Sequence, residues 1–105
     1  MLTVQNLADL KVKVEPGQIL LKALHQAGVD WMHACGGKGR CTTCRIIVEQ
    51  GMENFGPVTE SELRYRNNNR LNDNERLTCQ CTLETGNAIG KVPEQTKLPH
   101  LSYSD

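Results

Sequence analysis

Leu10, Val12 and Val14 alternate with Lys11, Lys13 and Glu15, the period of a strand with one face in a core and the other in water. Leu2 to Gln5 reads as a strand before it, and the polar stretch Asn6 to Asp9 is short enough to join the two as a hairpin. Pro16 and Gly17 stop the alternation, and the period then changes. In QILLKALHQAG, Leu20, Leu24 and Ala27 share one helical stripe flanked by Ile19 and Ala23, and Gly28 is placed to end that helix in the left-handed conformation.

Further on, Ile46, Ile47 and Val48 make Arg45 to Gln50 a buried strand, stopped by Gly51. VTESELRYRNN carries Thr59 and, three residues later, Glu62, the signature of a capping box opening a second, short helix. Five asparagines between Asn67 and Glu75 predict a polar loop. Arg76 to Leu83 reads as a strand bearing Cys79 and Cys81, and Asn87 to Val92 as the last strand. The order strand, strand, helix, strand, helix, strand, strand predicts an α+β fold around a mixed sheet, with no internal repeat.

At 105 residues the chain is expected to be one domain, burying roughly two thirds of the surface that its unfolded form exposes. Aromatic residues are only 4%, so aliphatic side chains must fill the core. The domain is expected to span residues 1–92. Pro93 and Pro99 punctuate a polar tail, 93–105, expected to lie on the surface or to be mobile. No stretch reaches membrane-spanning length and MLTVQNLADLKVKVE lacks the pattern of a signal peptide, so the expected location is cytoplasmic, away from the membrane. Twelve basic and twelve acidic residues give zero formal charge, which leaves no electrostatic footprint for nucleic acid.

The chemistry lies in HACGGKGRCTTCRIIVEQG. Cys35 is followed by five residues, Cys41, two residues and Cys44, and thirty-four residues then separate Cys44 from Cys79. With five cysteines, an odd count, and no export signal, metal binding or catalysis is a better reading than a disulfide framework. Gly36, Gly37 and Gly39 let the backbone come close, so that N–H groups can point at negatively charged sulfur. Three near cysteines and one distant one suit either a tetrahedral zinc or an iron–sulfur cluster on four thiolates. Structural zinc sites usually join two short-spaced pairs, and Cys79 and Cys81, one residue apart, do not make the second. The three-plus-one arrangement therefore favours the cluster.

CGGKGRCTTC, followed by a strand and later by RLTCQC, resembles the [2Fe-2S] ferredoxin family, in the branch that includes adrenodoxin and putidaredoxin. Five residues between the first two cysteines is the spacing of that branch, where plant-type members have four. The resemblance covers most of the chain and implies a β-grasp fold with a cluster-binding loop, a [2Fe-2S] cofactor and ligands at Cys35, Cys41, Cys44 and Cys79. It also implies that Cys35 and Cys41 hold the iron nearer the surface. The implied function is one-electron transfer from a flavin- or NAD(P)H-linked ferredoxin reductase to an acceptor such as a monooxygenase, a dioxygenase or an iron–sulfur assembly system. Such a monomeric carrier meets its partners transiently and is not an enzyme. No strand-GxGxxG-helix fingerprint is present, so the chain is not its own reductase.

Other features stand around this motif. Cys81 is expected to be a buried, inert thiol. Lys38, Arg40 and Arg45 either favour a more negative reduced cluster or are simply solvated. His33 can couple protonation to reduction or be a hydrogen-bonded structural residue. Trp31 and Met32 are expected to pack under the loop. Glu60, Glu62, Asp73 and Glu75 are balanced by Arg64, Arg66, Arg70 and Arg76, so the acidic docking helix of adrenodoxin has no counterpart here. A zinc-stabilised binding module and an iron–sulfur redox sensor are the competing functions; no DNA-reading or effector segment supports the sensor.

Overall fold

A computed structural model describes residues 1–29, 31, 44–93, 98 and 103. Its strands are β1 (Leu2–Val4), β2 (Leu10–Val12), β3 (Arg45–Gln50), β4 (Glu75–Leu77) and β5 (Ala88–Lys91). Two helices, α1 (Leu20–Gln26) and α2 (Glu60–Asn67), and a single 3-10 turn at Met52–Asn54 complete the described elements. The strands form one sheet in the order β2-β1-β5-β3-β4. Only the β1–β5 pairing is parallel. The sheet is thus mixed, as the element order predicts.

Most of the hairpin reading holds. Leu2 pairs with Val12 and Val4 with Leu10, and the turn between them passes through Ala8 and Asp9, both left-handed. Val12 and Val14 are buried, but Leu10 is 39% exposed because it sits on an edge strand directly after that turn. Asn6 departs further from expectation: although in the polar turn, it is buried. Its amide accepts from the Val92 N–H at 2.9 Å and donates to the Val92 carbonyl at 2.9 Å. One side chain thereby continues the β1–β5 ladder beyond the strand ends, satisfying backbone groups that burial would otherwise penalise.

Helix α1 ends as Gly28 predicts. Gly28 adopts φ +78°, its N–H bonds the His25 carbonyl at 3.0 Å, and the Val29 N–H bonds the Leu24 carbonyl at 2.9 Å. These two bonds make a Schellman motif, which requires the left-handed residue between them. Leu20, Leu21, Ala23 and Leu24 face the core, where they join Leu2, Val4, Ile46 and Leu77. Helix α2 has the capping box in full, with the Glu62 N–H on the Thr59 hydroxyl and the Thr59 N–H on the Glu62 carboxylate. The asparagine-rich loop that follows is polar as expected, yet it is pinned by Leu71, which is buried.

The region Arg76 to Leu83 is not one strand. Pairing with β3 ends at Leu77, and the Leu77 carbonyl accepts from both the Gln80 and the Cys81 N–H at 2.9 Å, closing a tight turn. Beyond it the chain makes isolated bridges, Ile19 with Thr82 and Phe55 with Leu83, in place of a strand. At the tail, Tyr103 packs against the core and its hydroxyl accepts from the Leu98 N–H at 3.0 Å. The expectation of a tail on the surface or mobile otherwise falls on residues outside those described.

Candidate functional site

The turn after β4 is seated on the start of α1. That helix has no side-chain cap, since Ile19 occupies the capping position. Its first amides find carbonyls elsewhere: the Leu20 N–H bonds the Cys81 carbonyl at 2.9 Å and the Leu21 N–H bonds the Thr78 carbonyl at 2.8 Å. Groups that every helix leaves unpaired at its N-terminus are here used to hold residues 78–81 in place.

Cys44 stands at the entry to β3 and is held as firmly. Its carbonyl accepts from the Trp31 indole Nε1 at 2.9 Å, the Thr78 hydroxyl at 2.8 Å and the Thr78 N–H at 3.3 Å. Trp31 is buried in the core, while the loop it is expected to underlie falls outside the described residues. These two anchorages bring Cys44 Sγ and Cys79 Sγ to 3.4 Å, from positions 35 apart in the chain. That is far beyond the ~2.05 Å of a disulfide. It lies near the ~3.8 Å expected of two thiolates sharing one tetrahedral metal with bonds of ~2.3 Å.

Contact with the Cys79 thiol and then burial push the Cys44 thiol well above the ordinary range, against the opposing pull of the Cys79 N–H and the Thr78 hydroxyl. Without a cation nearby, this environment favours the neutral Cys44 thiol. Bound metal supplies the positive charge that reverses this balance. The pair fits a metal centre on its soft sulfur donors, its separation and its burial.

Cys81 has a different environment. It is buried, and burial pushes its thiol up, which suppresses the reactive thiolate. Because residues 78–81 form a turn and not a strand, the alternation that would put Cys79 and Cys81 on one face does not apply to them. Cys35, Cys41, Gly36, Gly37, Gly39, Lys38, Arg40, Met32 and His33 lie outside the described residues. Among the described residues, no three His, Cys, Asp or Glu side chains converge on one point.

The charged residues near the site are not the solvated set that the sequence suggests. Arg45 Nε meets Glu75 Oε2 at 3.1 Å, with both side chains largely buried. Arg76 and Glu62 are an internal pair, 1% and 0% exposed, with Arg76 Nε to Glu62 Oε2 at 2.8 Å and Nη2 to Oε1 at 3.1 Å. Arg76 also donates to the Gly56 and Pro57 carbonyls, and the Leu77 N–H bonds Glu62 Oε2 at 2.9 Å. The balance of charges around α2 must therefore be redrawn. With the internal pairs set aside, Glu60 and Asp73 face Arg64, Arg66 and Arg70, a mildly basic surface. The sequence marks Glu62 as a cap and as one of the charges balancing Arg76, but carries no sign that the two are buried together as a pair.

With this geometry in hand, comparison with known proteins decides the family. The profile of the 2Fe-2S iron-sulfur cluster binding domain matches residues 4–84. The chain belongs to the [2Fe-2S] ferredoxin family. A 2Fe-2S ferredoxin of Haemophilus influenzae is 32% identical over 79% of this chain and 74% of that one. A 2Fe-2S ferredoxin of Pseudomonas aeruginosa is 29% identical over 80% of this chain and 76% of that one. One component of the Na(+)-translocating NADH-quinone reductase of Idiomarina loihiensis is 34% identical over 83% of this chain, which spans only 20% of that longer protein. The crystal structure of the ISC-like [2Fe-2S] ferredoxin FdxB from Pseudomonas putida superposes with a TM-score of 0.74 and 27% identity, covering 96% of this chain and 97% of that one. The mixed five-stranded sheet with two helices is thus the ferredoxin β-grasp. Its cofactor is a [2Fe-2S] cluster, and its work is electron transfer rather than catalysis. No helix among the described residues is long and apolar enough to cross a membrane.

Proposed function

We propose that the chain is a cytoplasmic, monomeric one-electron carrier whose cluster is held by Cys35, Cys41, Cys44 and Cys79. It takes an electron from a flavin- or NAD(P)H-linked ferredoxin reductase and delivers it to a monooxygenase, a dioxygenase or an iron–sulfur assembly system. Residues 1–92 form the electron-transfer domain and 93–105 its tail. The observation that carries this reading is the meeting of the Cys44 and Cys79 sulfurs at 3.4 Å.

The bound cluster supplies the one-electron redox change. The chain's own residues do the rest. Trp31 and Thr78 fix the Cys44 backbone, and the α1 N-terminus fixes the turn that carries Cys79, so the two thiolates change position little between redox states. Their burial keeps water from the sulfurs and lowers the reorganisation that accompanies charge transfer.

Visible absorption, low-temperature EPR, and iron and sulfide analysis of anaerobically purified protein test the proposal. A red-brown protein with equal iron and acid-labile sulfide, EPR-silent when oxidised and spin one-half when reduced by one electron, is expected. A colourless, zinc-loaded protein from iron-replete cells overturns it.

A further inference from the structure

The side chain of Gln80 lies beside Cys79, with Nε2 3.7 Å from Cys79 Sγ. Its backbone has no freedom to carry it away, because the Gln80 N–H is fixed to the Leu77 carbonyl at 2.9 Å and the next residue, Cys81, is fixed to the same oxygen. The following carbonyl, that of Cys81, is held by the first turn of α1. The residue is half-buried, so water competes only partly for the amide. A sulfur-bound N–H is a long, weak bond, and 3.7 Å is a normal length for one to the large thiolate sulfur.

We infer that the Gln80 side-chain amide is a potential-setting group of this carrier, donating its N–H to the Cys79 sulfur and favouring the reduced form. The inference rests on the reading of Cys79 as a ligand. A [2Fe-2S] centre on four thiolates goes from two negative charges to three on reduction, with no bond made or broken in the protein. A donor aimed at a ligand sulfur interacts more strongly with the more negative state, as hydrogen bonds to charged acceptors do. Removing it therefore makes reduction harder. Gln80 acts through Cys79 and is a positioning residue, so its effect belongs in the potential rather than in cluster content.

The balance of neighbouring charges gives this neutral group weight. Arg45 is paired with Glu75, and Arg76 with Glu62, so neither arginine is an uncompensated cation that would mask a change of one hydrogen bond. Two effects set the magnitude: a net hydrogen bond of this kind is a modest contribution, and only the difference between redox states counts. A change of about threefold in the reduction equilibrium follows, or ~28 mV at ~59 mV per tenfold for one electron.

The test is a spectroelectrochemical titration of the holoprotein against Gln80→Met, which keeps the length of the side chain and removes the N–H. The expected result is an unaltered oxidised spectrum and a midpoint lower by about 28 mV, threefold in the equilibrium. In parallel, wild-type protein labelled with 15N at glutamine side-chain amides is reduced and examined by pulsed EPR. A 15N coupling that is present in wild type and missing in Gln80→Met supports the inference, and this measurement on wild type decides the matter even if the variant fails to take up a cluster, since absence of any coupling overturns it. An unchanged midpoint in Gln80→Met, while Cys79→Ser loses the native cluster, overturns this inference alone. A native cluster in Cys79→Ser overturns the ligand reading and this inference together.

Discussion

Arg76→Met takes the guanidinium out of the most buried ion pair in the described structure while keeping an unbranched apolar stem. Four bonds disappear: two to the Glu62 carboxylate, at 2.8 and 3.1 Å, and those to the Gly56 and Pro57 carbonyls, at 3.0 and 3.1 Å. Glu62, fully buried, keeps only the N–H groups of Thr59 and Leu77 as donors. Breaking a buried pair by removing one partner costs about 3–5 kcal/mol, chiefly because a charge is left without compensation. Against a total stability of about 5–15 kcal/mol, that is a large share. At roughly 4–8 °C per kcal/mol for a domain of this size, even the lower figure moves the Tm by about 12 °C.

The pH dependence fixes the sign of the effect. Burial alone would raise the Glu62 carboxyl, but the Arg76 guanidinium and the Thr59 and Leu77 N–H groups outweigh it and hold the group below its ordinary 4.5. A carboxyl depressed in the folded state contributes stability above its unfolded value and loses it as pH falls through the folded value. The advantage of wild type over Arg76→Met should thus be complete at neutral pH and narrow below about pH 4.5. Thermal unfolding of the holoprotein by far-UV circular dichroism, at one scan rate because cluster loss makes it irreversible, measures both. A Tm within about 3 °C of wild type at pH 7, less than about 1 kcal/mol, refutes the reasoning.

Cys79→Ser should lose the cluster or hold a labile one with altered absorption, serine oxygen being a harder ligand than thiolate, whereas Cys81→Ser should keep full iron and a normal spectrum; swapped outcomes move the ligand to Cys81. Gly28→Ala should cost about 1 kcal/mol in urea unfolding, since a Cβ there meets nothing within 4 Å and the penalty is that of φ +78° alone; no loss refutes the Schellman reading. With zero formal protein charge, the holoprotein carries about −2 when oxidised, so stopped-flow reduction by a ferredoxin reductase should slow only gently between low and physiological salt; a steep fall shows that a local patch steers the encounter.

Local signals in the sequence survive into the fold wherever one residue suffices to carry them. Gly28 needs only its own freedom at positive φ, and Thr59 with Glu62 only a spacing of three, so the end of α1 and the start of α2 were legible. The strand periods were legible too, because they depend on burial of one face. What was not legible depends on a second segment. The turn at Leu77 replaces a strand because the α1 N-terminus, some sixty positions away, takes the carbonyls of Thr78 and Cys81. Asn6 is buried because Val92 needs both its donor and its acceptor. Arg76 is internal because Glu62, already spent on the helix cap, still has oxygen lone pairs to share.

These same long-range polar bonds explain how so small a core holds two sulfurs in contact. Four aromatic residues leave little packing mass to fix a loop by shape alone. The backbone at Cys44 is held instead by three hydrogen bonds to one carbonyl, and the turn at Cys79 by two bonds to a helix start and two to the Leu77 carbonyl. Leu77 in turn hangs from Glu62 through its N–H, so the capping box of α2, the buried arginine and the cysteine turn form one connected polar frame. Each member is satisfied, which is the condition under which burying polar groups stiffens a structure rather than weakening it. Loosening Glu62 or Arg76 therefore acts on β4 and α2 first and reaches the Cys79 sulfur through Leu77, whereas loosening Trp31 acts directly on Cys44.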